Sequence, residues 1–136
     1  MNIQAVLSYF INPNNSREVI SLLSISTKSH TLANKVTMAD TFLSRFKGLM
    51  GKRAIPPDTA LVIRPCNQVH MCFMRFSIGA IFVDHHGQVL HKQRLNPWQI
   101  SKKVSGANAV IELDPEQLEQ VKIGEQLEFR HSLGDW

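Results

Sequence analysis

Apolar and polar residues alternate in short blocks along most of this chain, and the blocks predict strands more often than helices. From Thr31 to Met38 the apolar residues Leu32, Val36 and Met38 share one parity, which predicts a half-buried strand. Phe42, Leu43, Phe46, Leu49 and Met50 then recur at three- and four-residue spacing, with Asp40 placed to cap the start and Gly51 to follow the end, so a short helix is predicted there. Ala60-Leu61-Val62-Ile63 reads as a buried strand between Pro56-Pro57-Asp58 and Arg64-Pro65. The stretch from Val69 to Asp84 is apolar on both parities and predicts a long two-sided strand, bent near Arg75, Ser77 and Gly79. Asp84-His85-His86-Gly87 turns it into a second strand, Gln88 to Arg94.

Beyond the Asn96-Pro97-Trp98 corner, Ala107 to Leu113 is predicted as a strand. Asp114 and Pro115 open a second short helix to about Val121, and Gln126 to Arg130 closes the chain as a last strand. These elements predict a β-rich α+β fold, a compact barrel-like antiparallel or mixed sheet with two short helices. The domain is expected over residues 31–136. Ser16 to Lys28 has no clear period, and residues 1–30 read as a loosely ordered extension, with a poor signal sequence read from Arg17 or an over-long gene start as alternatives.

Composition narrows the class without naming an activity. The chain has 136 residues, 43% of them hydrophobic, enough for one domain with a real core. A net charge of +4 is too mild for a dedicated nucleic-acid binder. Two cysteines fit a reducing compartment, so a cytoplasmic protein is expected, with secretion or the periplasm as the lesser alternative. No apolar run approaches the length needed to cross a bilayer as a helix. Neither a G-x-x-x-x-G-K-[ST] loop nor a G-x-G-x-x-G loop is present, which excludes nucleotide chemistry through those motifs.

Several separated motifs resemble one family. They are Ala39-Asp40-Thr41-Phe42-Leu43-Ser44-Arg45-Phe46-Lys47-Gly48-Leu49-Met50-Gly51, Arg64-Pro65-Cys66-Asn67, His70 with Phe73-Met74-Arg75-Phe76, Phe82-Val83-Asp84, Gly87, Leu95-Asn96-Pro97-Trp98 and Lys122-Ile123-Gly124-Glu125. Their order and content, from about Ala33 to Phe129, are similar to the domain of unknown function 192 family. The resemblance implies a compact β-barrel-like fold with short helices and implies no reaction. The chain departs from the family pattern at Phe76-Ser77-Ile78-Gly79, where a proline and an acid usually follow the phenylalanine, and at Cys72, where an aromatic is usual.

Four constellations compete as the functional site. Cys66, His70 and Cys72 suggest a metal, but they supply at most three ligands without a paired Cys-x-x-Cys, and His85 or His91 would have to complete the set; no metal or other cofactor is expected. Cys66 as thiolate with His70 as its base would make a cysteine-dependent enzyme, for which no nearby sequence supplies an orienting carboxylate. Arg45, Lys47, Lys52 and Arg53, with Lys102 and Lys103, offer a weak nucleic-acid patch, yet Phe42 and Phe46 fall at core spacing, so nucleic acid is the minor reading. Glu112, Glu116, Glu119, Glu125 and Glu128 read as solvated surface.

The leading expectation is a non-catalytic module that binds a small or anionic ligand or partner through His70, Met74, Arg75 and Trp98. Arg75 inside an apolar run is its main support, since a cation buried there needs an anion. Oligomeric state is open.

Overall fold

The computed structural model describes residues 22–39, 54–72, 74–131 and 134–135. Among the described residues the strands are β1 Leu22–Ser26, β2 Thr31–Ala33, β3 Lys35–Ala39, β4 Thr59–Ile63, β5 Ile78–Val83, β6 Val89–Leu95, β7 Ala109–Leu113, β8 Glu128–His131 and β9 Gly134–Asp135. A 3₁₀ helix, Pro115–Gln120, lies between β7 and β8. The strands form two sheets, one of four in the order β2-β1-β8-β9 and one of five in the order β3-β4-β7-β5-β6. The fold is β-rich, as its alternating blocks predict. It is not a closed barrel among the described residues, because each sheet ends on its own edge strands.

Strand alternation divides the five-stranded sheet into two buried faces. One face carries Ala60, Val62, Ile81, Val83, Ile111 and Leu113, in one cluster with Ile25, Leu32 and Phe129 of the four-stranded sheet. The opposite face carries Leu61, Ile63, Ile78, Ala80, Phe82 and Val110. Burial on both sides explains why β5 and β7 read as continuous apolar runs.

Several expectations are corrected. The predicted strand from Thr31 to Met38 is two strands, broken at Asn34, where the N–H groups of Asn34 and Lys35 both donate to the Asp58 carbonyl at 2.9 and 3.0 Å. Ahead of Thr31, β1 pairs with both β2 and β8, so the four-stranded sheet draws a strand from the segment expected as an extension. Of the long strand predicted over Val69 to Asp84, only Ile78–Val83 pairs in the sheet. The helix predicted from Asp40 to Gly51 lies outside the described residues. The second helix is the short 3₁₀ turn, capped as expected by Asp114, whose Oδ1 accepts the Glu116 N–H at 3.2 Å. Among the described residues no helix is long and apolar enough to cross a membrane.

The hairpin from β5 to β6 forms as predicted. Asp84 Oδ1 accepts the N–H groups of His86 and Gln88 at 2.8 and 3.0 Å, and Gly87 supplies the left-handed φ of 83°. Behind this hairpin Lys92 reaches the 3₁₀ helix, donating to the carbonyls of Leu118 and Val121, each at 2.7 Å. That charge joins the Val121 N–H on the Leu118 carbonyl and adds a charged donor at the helix end.

Candidate functional site

The residues between β4 and β5 and those between β6 and β7 fold over the second face of the five-stranded sheet as an irregular antiparallel ribbon. Met71 N–H donates to the Gln99 carbonyl at 2.7 Å, Ser101 N–H to that of Val69 at 2.7 Å and Val104 N–H to that of Asn67 at 2.9 Å, with a bridge between His70 and Ile100. The buried Ser101 hydroxyl locks the centre. It accepts the Val69 N–H at 2.9 Å and donates to the Lys102 carbonyl at 2.9 Å. Val69, Met71, Met74, Phe76 and Val104 enter the core cluster of that face, which is why this stretch is as apolar as a strand without being one.

This ribbon relocates every predicted site residue. His70 and Cys72 do not share a strand, because His70 makes only an isolated bridge to Ile100 and Cys72 lies in a turn. Met74 is only 6% exposed and belongs to the core, beneath the surface it is expected to line. Arg75 is exposed, so it needs no buried counter-anion, contrary to its reading as a charge inside a strand. Trp98 stands 62% exposed at a φ of 69°, the single non-glycine residue with positive φ among the described residues. Its N–H donates to the Met71 carbonyl at 2.9 Å, and the same carbonyl accepts the Met74 N–H at 3.2 Å. One backbone oxygen therefore holds both the Trp98 corner and Met74, the residue before Arg75. A further bond from Ser77 Oγ to Asn96 Oδ1, at 2.7 Å, closes the two loops on each other.

On the outer side of the ribbon, exposed Trp98, Ile100 and Lys102 come at every second residue, with half-buried His70 bridged to Ile100. Ile100, 63% exposed, is a surface apolar group that sequence reasoning misses. Its only sequence signal is its place between Trp98 and Lys102 in an otherwise polar loop. The ribbon is also poor in acid. Its two segments, residues 64–77 and 96–108, contain Arg64, Arg75, Lys102 and Lys103 and no carboxylate, and the one acid in residues 59–111, Asp84, is engaged in its own hairpin.

The two cysteines are not joined in a disulfide, and the Cys66 thiol donates to the Gln68 carbonyl at 3.1 Å. Among the described residues no three His, Cys, Asp or Glu side chains gather in a way that could hold a metal ion. Glu112 is a correction to the surface reading of the glutamates. It lies on β7, the middle strand of the five-stranded sheet, and is 0% exposed on the face shared with Val110, Leu61 and Ala80.

Comparison with known proteins places this geometry among relatives. The chain is 37% identical over 94 residues to a UPF0127 protein of Thermococcus sibiricus, covering 63% of this chain and 58% of that protein. It is 28% identical over 114 residues to a UPF0127 protein of Pyrococcus furiosus, covering 79% of this chain and 97% of that one. A UPF0127 protein of Thermococcus kodakarensis matches at 31% over 90 residues, so the chain spans 58% and 57% of the length of the two Thermococcus relatives. Among solved structures, a protein of unknown function from Novosphingobium aromaticivorans has a TM-score of 0.64 at 18% identity, covering 87% of this chain and 90% of its own. A Sinorhizobium meliloti protein, provisionally described as a transcription regulator, has a TM-score of 0.60 at 20% identity, covering 85% and 98%. These structures share the fold. The family model for domain of unknown function 192, described as uncharacterised ACR, matches residues 23–129, and the chain belongs to that family.

Proposed function

We propose that the protein is a non-catalytic binding module that takes an anionic ligand or partner on the outer side of the ribbon. Arg75 supplies the counter-charge, Trp98 and His70 the contact surface, and Met74 the buried floor that holds Arg75 in place. The observation that carries this reading is Trp98: a large ring held in the open by a left-handed backbone that costs about 1 kcal/mol. Exposed tryptophans on rigid corners suit recognition, since the ring gives much contact area for little lost freedom. The basic bias of residues 59–111 sets the sign of the partner. The binding unit is one domain, to which β1 contributes a strand although it precedes Thr31, and it works in the cytoplasm, where both thiols stay reduced.

The rival reading, a cysteine-dependent enzyme using Cys66 and His70, gains less support. The hydrogen that a nucleophile would give to a base is directed by Cys66 at the Gln68 carbonyl. Titrating ¹⁵N-labelled protein with inorganic polyphosphate tests the proposal. Shifts centred on the Trp98 indole and the Arg75 and His70 amides, lost in Arg75→Ala and kept in Cys66→Ser, are expected. An unresponsive spectrum, or shifts that survive Arg75→Ala, would overturn it.

A further inference from the structure

We infer that the anionic partner of the ribbon is a single-stranded nucleic acid, an inference that rests on the binding reading above and names its partner. Three observations select this class. The first is the exposed ring: Trp98, 62% exposed, offers aromatic surface on which any base can stack and which an acidic side chain cannot exploit. The second is the spacing. Trp98 stands at the left-handed corner where the loop turns, and Ile100 and Lys102 follow it two and four residues on, each exposed, so ring, aliphatic side chain and cation lie within five residues of one loop. A strand whose bases lie against the apolar members and whose phosphates reach the cations matches that order.

The third observation is the distribution of charge. Lys102, Lys103 and Arg75 are all exposed, and the one acid in residues 59–111, Asp84, is bonded into the β5–β6 turn. The acidic residues Asp114, Glu116, Glu119, Glu125 and Glu128 follow β7, on and after the 3₁₀ helix. A polyanion would therefore meet cations on the ribbon and carboxylates beyond β7, which orients it. The mild overall charge of +4 conceals this separation. The rigidity of the platform also matters, because the Met71 carbonyl and the Ser101 hydroxyl fix both strands of the ribbon before any partner arrives. Duplex DNA is a poorer match, since its bases are already stacked and leave the ring without a face to meet.

The test is fluorescence anisotropy of a short labelled oligothymidylate with the full chain, at several salt concentrations, with polyglutamate as competitor. Far-UV circular dichroism of each variant reports that it is folded. The inference expects saturable binding that Trp98→Ala weakens about tenfold and Trp98→Phe largely retains, since loss of one stacked base amounts to that factor or more. Lys102→Ala with Lys103→Ala should flatten the plot of log affinity against log salt by about 1.4, the contribution of two phosphate contacts on a single strand. Binding that is indifferent to Trp98→Ala and equally displaced by polyglutamate would overturn the nucleic-acid inference while leaving an anion-binding ribbon. If neither polymer binds, this inference falls, and the polyphosphate titration decides the broader reading separately.

Discussion

Gly79→Asp restores an acid where the sequence pattern of the family has one, and the structure predicts that this chain cannot accept it. Gly79 lies on β5 between Leu113 of β7 and Arg94 of β6. A Cβ at this position would come within 3.0 Å of Leu118 Cγ, 3.1 Å of Leu113 Cδ1 and 3.1 Å of Leu118 Cδ2. Carbon atoms in contact prefer roughly 3.5–4.0 Å, so two leucines must give way by several tenths of an ångström. Leu118 cannot simply withdraw, because its own carbonyl is held by Lys92 at 2.7 Å. Overpacking of this kind costs about 1–3 kcal/mol. A carboxylate set between leucines adds about 1–3 kcal/mol for lost hydration. Reduced freedom of the unfolded chain returns about 0.4–1 kcal/mol.

The net expectation is a loss of about 3 kcal/mol, or about 10 °C in Tm. Gly79→Ala, which carries the clash without the charge, should lose about 1 kcal/mol. Urea unfolding followed by circular dichroism measures both. A double-mutant cycle with Leu118→Ala should show a favourable coupling of at least about 1 kcal/mol, because the smaller side chain makes the room that aspartate lacks. The reasoning is refuted if Gly79→Asp stays within about 0.5 kcal/mol of the parent or if the cycle shows no coupling.

Three further outcomes follow from described contacts. Lys92→Met keeps the aliphatic stem but strips the Leu118 and Val121 carbonyls of their charged donor, and should lower stability by about 1–2 kcal/mol in the same urea assay. Ser101→Ala leaves the Val69 N–H without its 2.9 Å acceptor under the ribbon and should cost about 2 kcal/mol, with hydrogen exchange at Val69 faster than in the parent. Trp98→Gly exchanges a strained backbone for a more flexible unfolded chain, so thermal unfolding should move by less than about 0.5 kcal/mol; a loss above about 2 kcal/mol would mark the ring as a structural plug.

Much of the five-stranded sheet is legible along the chain, because its strands are bounded by residues with strong local meaning. Pro56-Pro57-Asp58 precedes β4, Asp84 and Gly87 shape the β5–β6 hairpin, and Asp114-Pro115 ends β7 and opens the 3₁₀ helix. The stretch from Val69 to Ser77 reads wrongly for a physical reason. Val69, Met71, Met74 and Phe76 are apolar because they seal a sheet face from above, and that demand gives the same composition as a two-sided strand. Its correct form depends on the pairing of residues 67–71 with 98–104, which no local pattern encodes. The same dependence hides part of the site. Trp98 and Arg75 stand out in the sequence, but the attachment of Trp98 and of Met74, the neighbour of Arg75, to the Met71 carbonyl and the exposure of Ile100 emerge only in three dimensions. Glu112 looks like its solvated neighbours until β7 is placed at the centre of the sheet.

The pairing of β1 with β8 sets an order of assembly. Ile25 lies opposite Phe129 and Ser26 opposite Glu128, so these partners stand near opposite ends of the described chain. During synthesis all five strands from β3 to β7 are complete once Leu113 has been made, whereas β1 must wait for β8 although it was made first. Until then β1 has only the short β2 beside it, and a lone two-stranded hairpin is marginal in water. Ile25 and Leu32 meanwhile lack Phe129, their neighbour in the shared core. A chain cut after Leu127 therefore keeps every strand of the larger sheet but lacks Phe129 and the strand that pairs with β1, which makes the last few residues of β8 the step that seals that face.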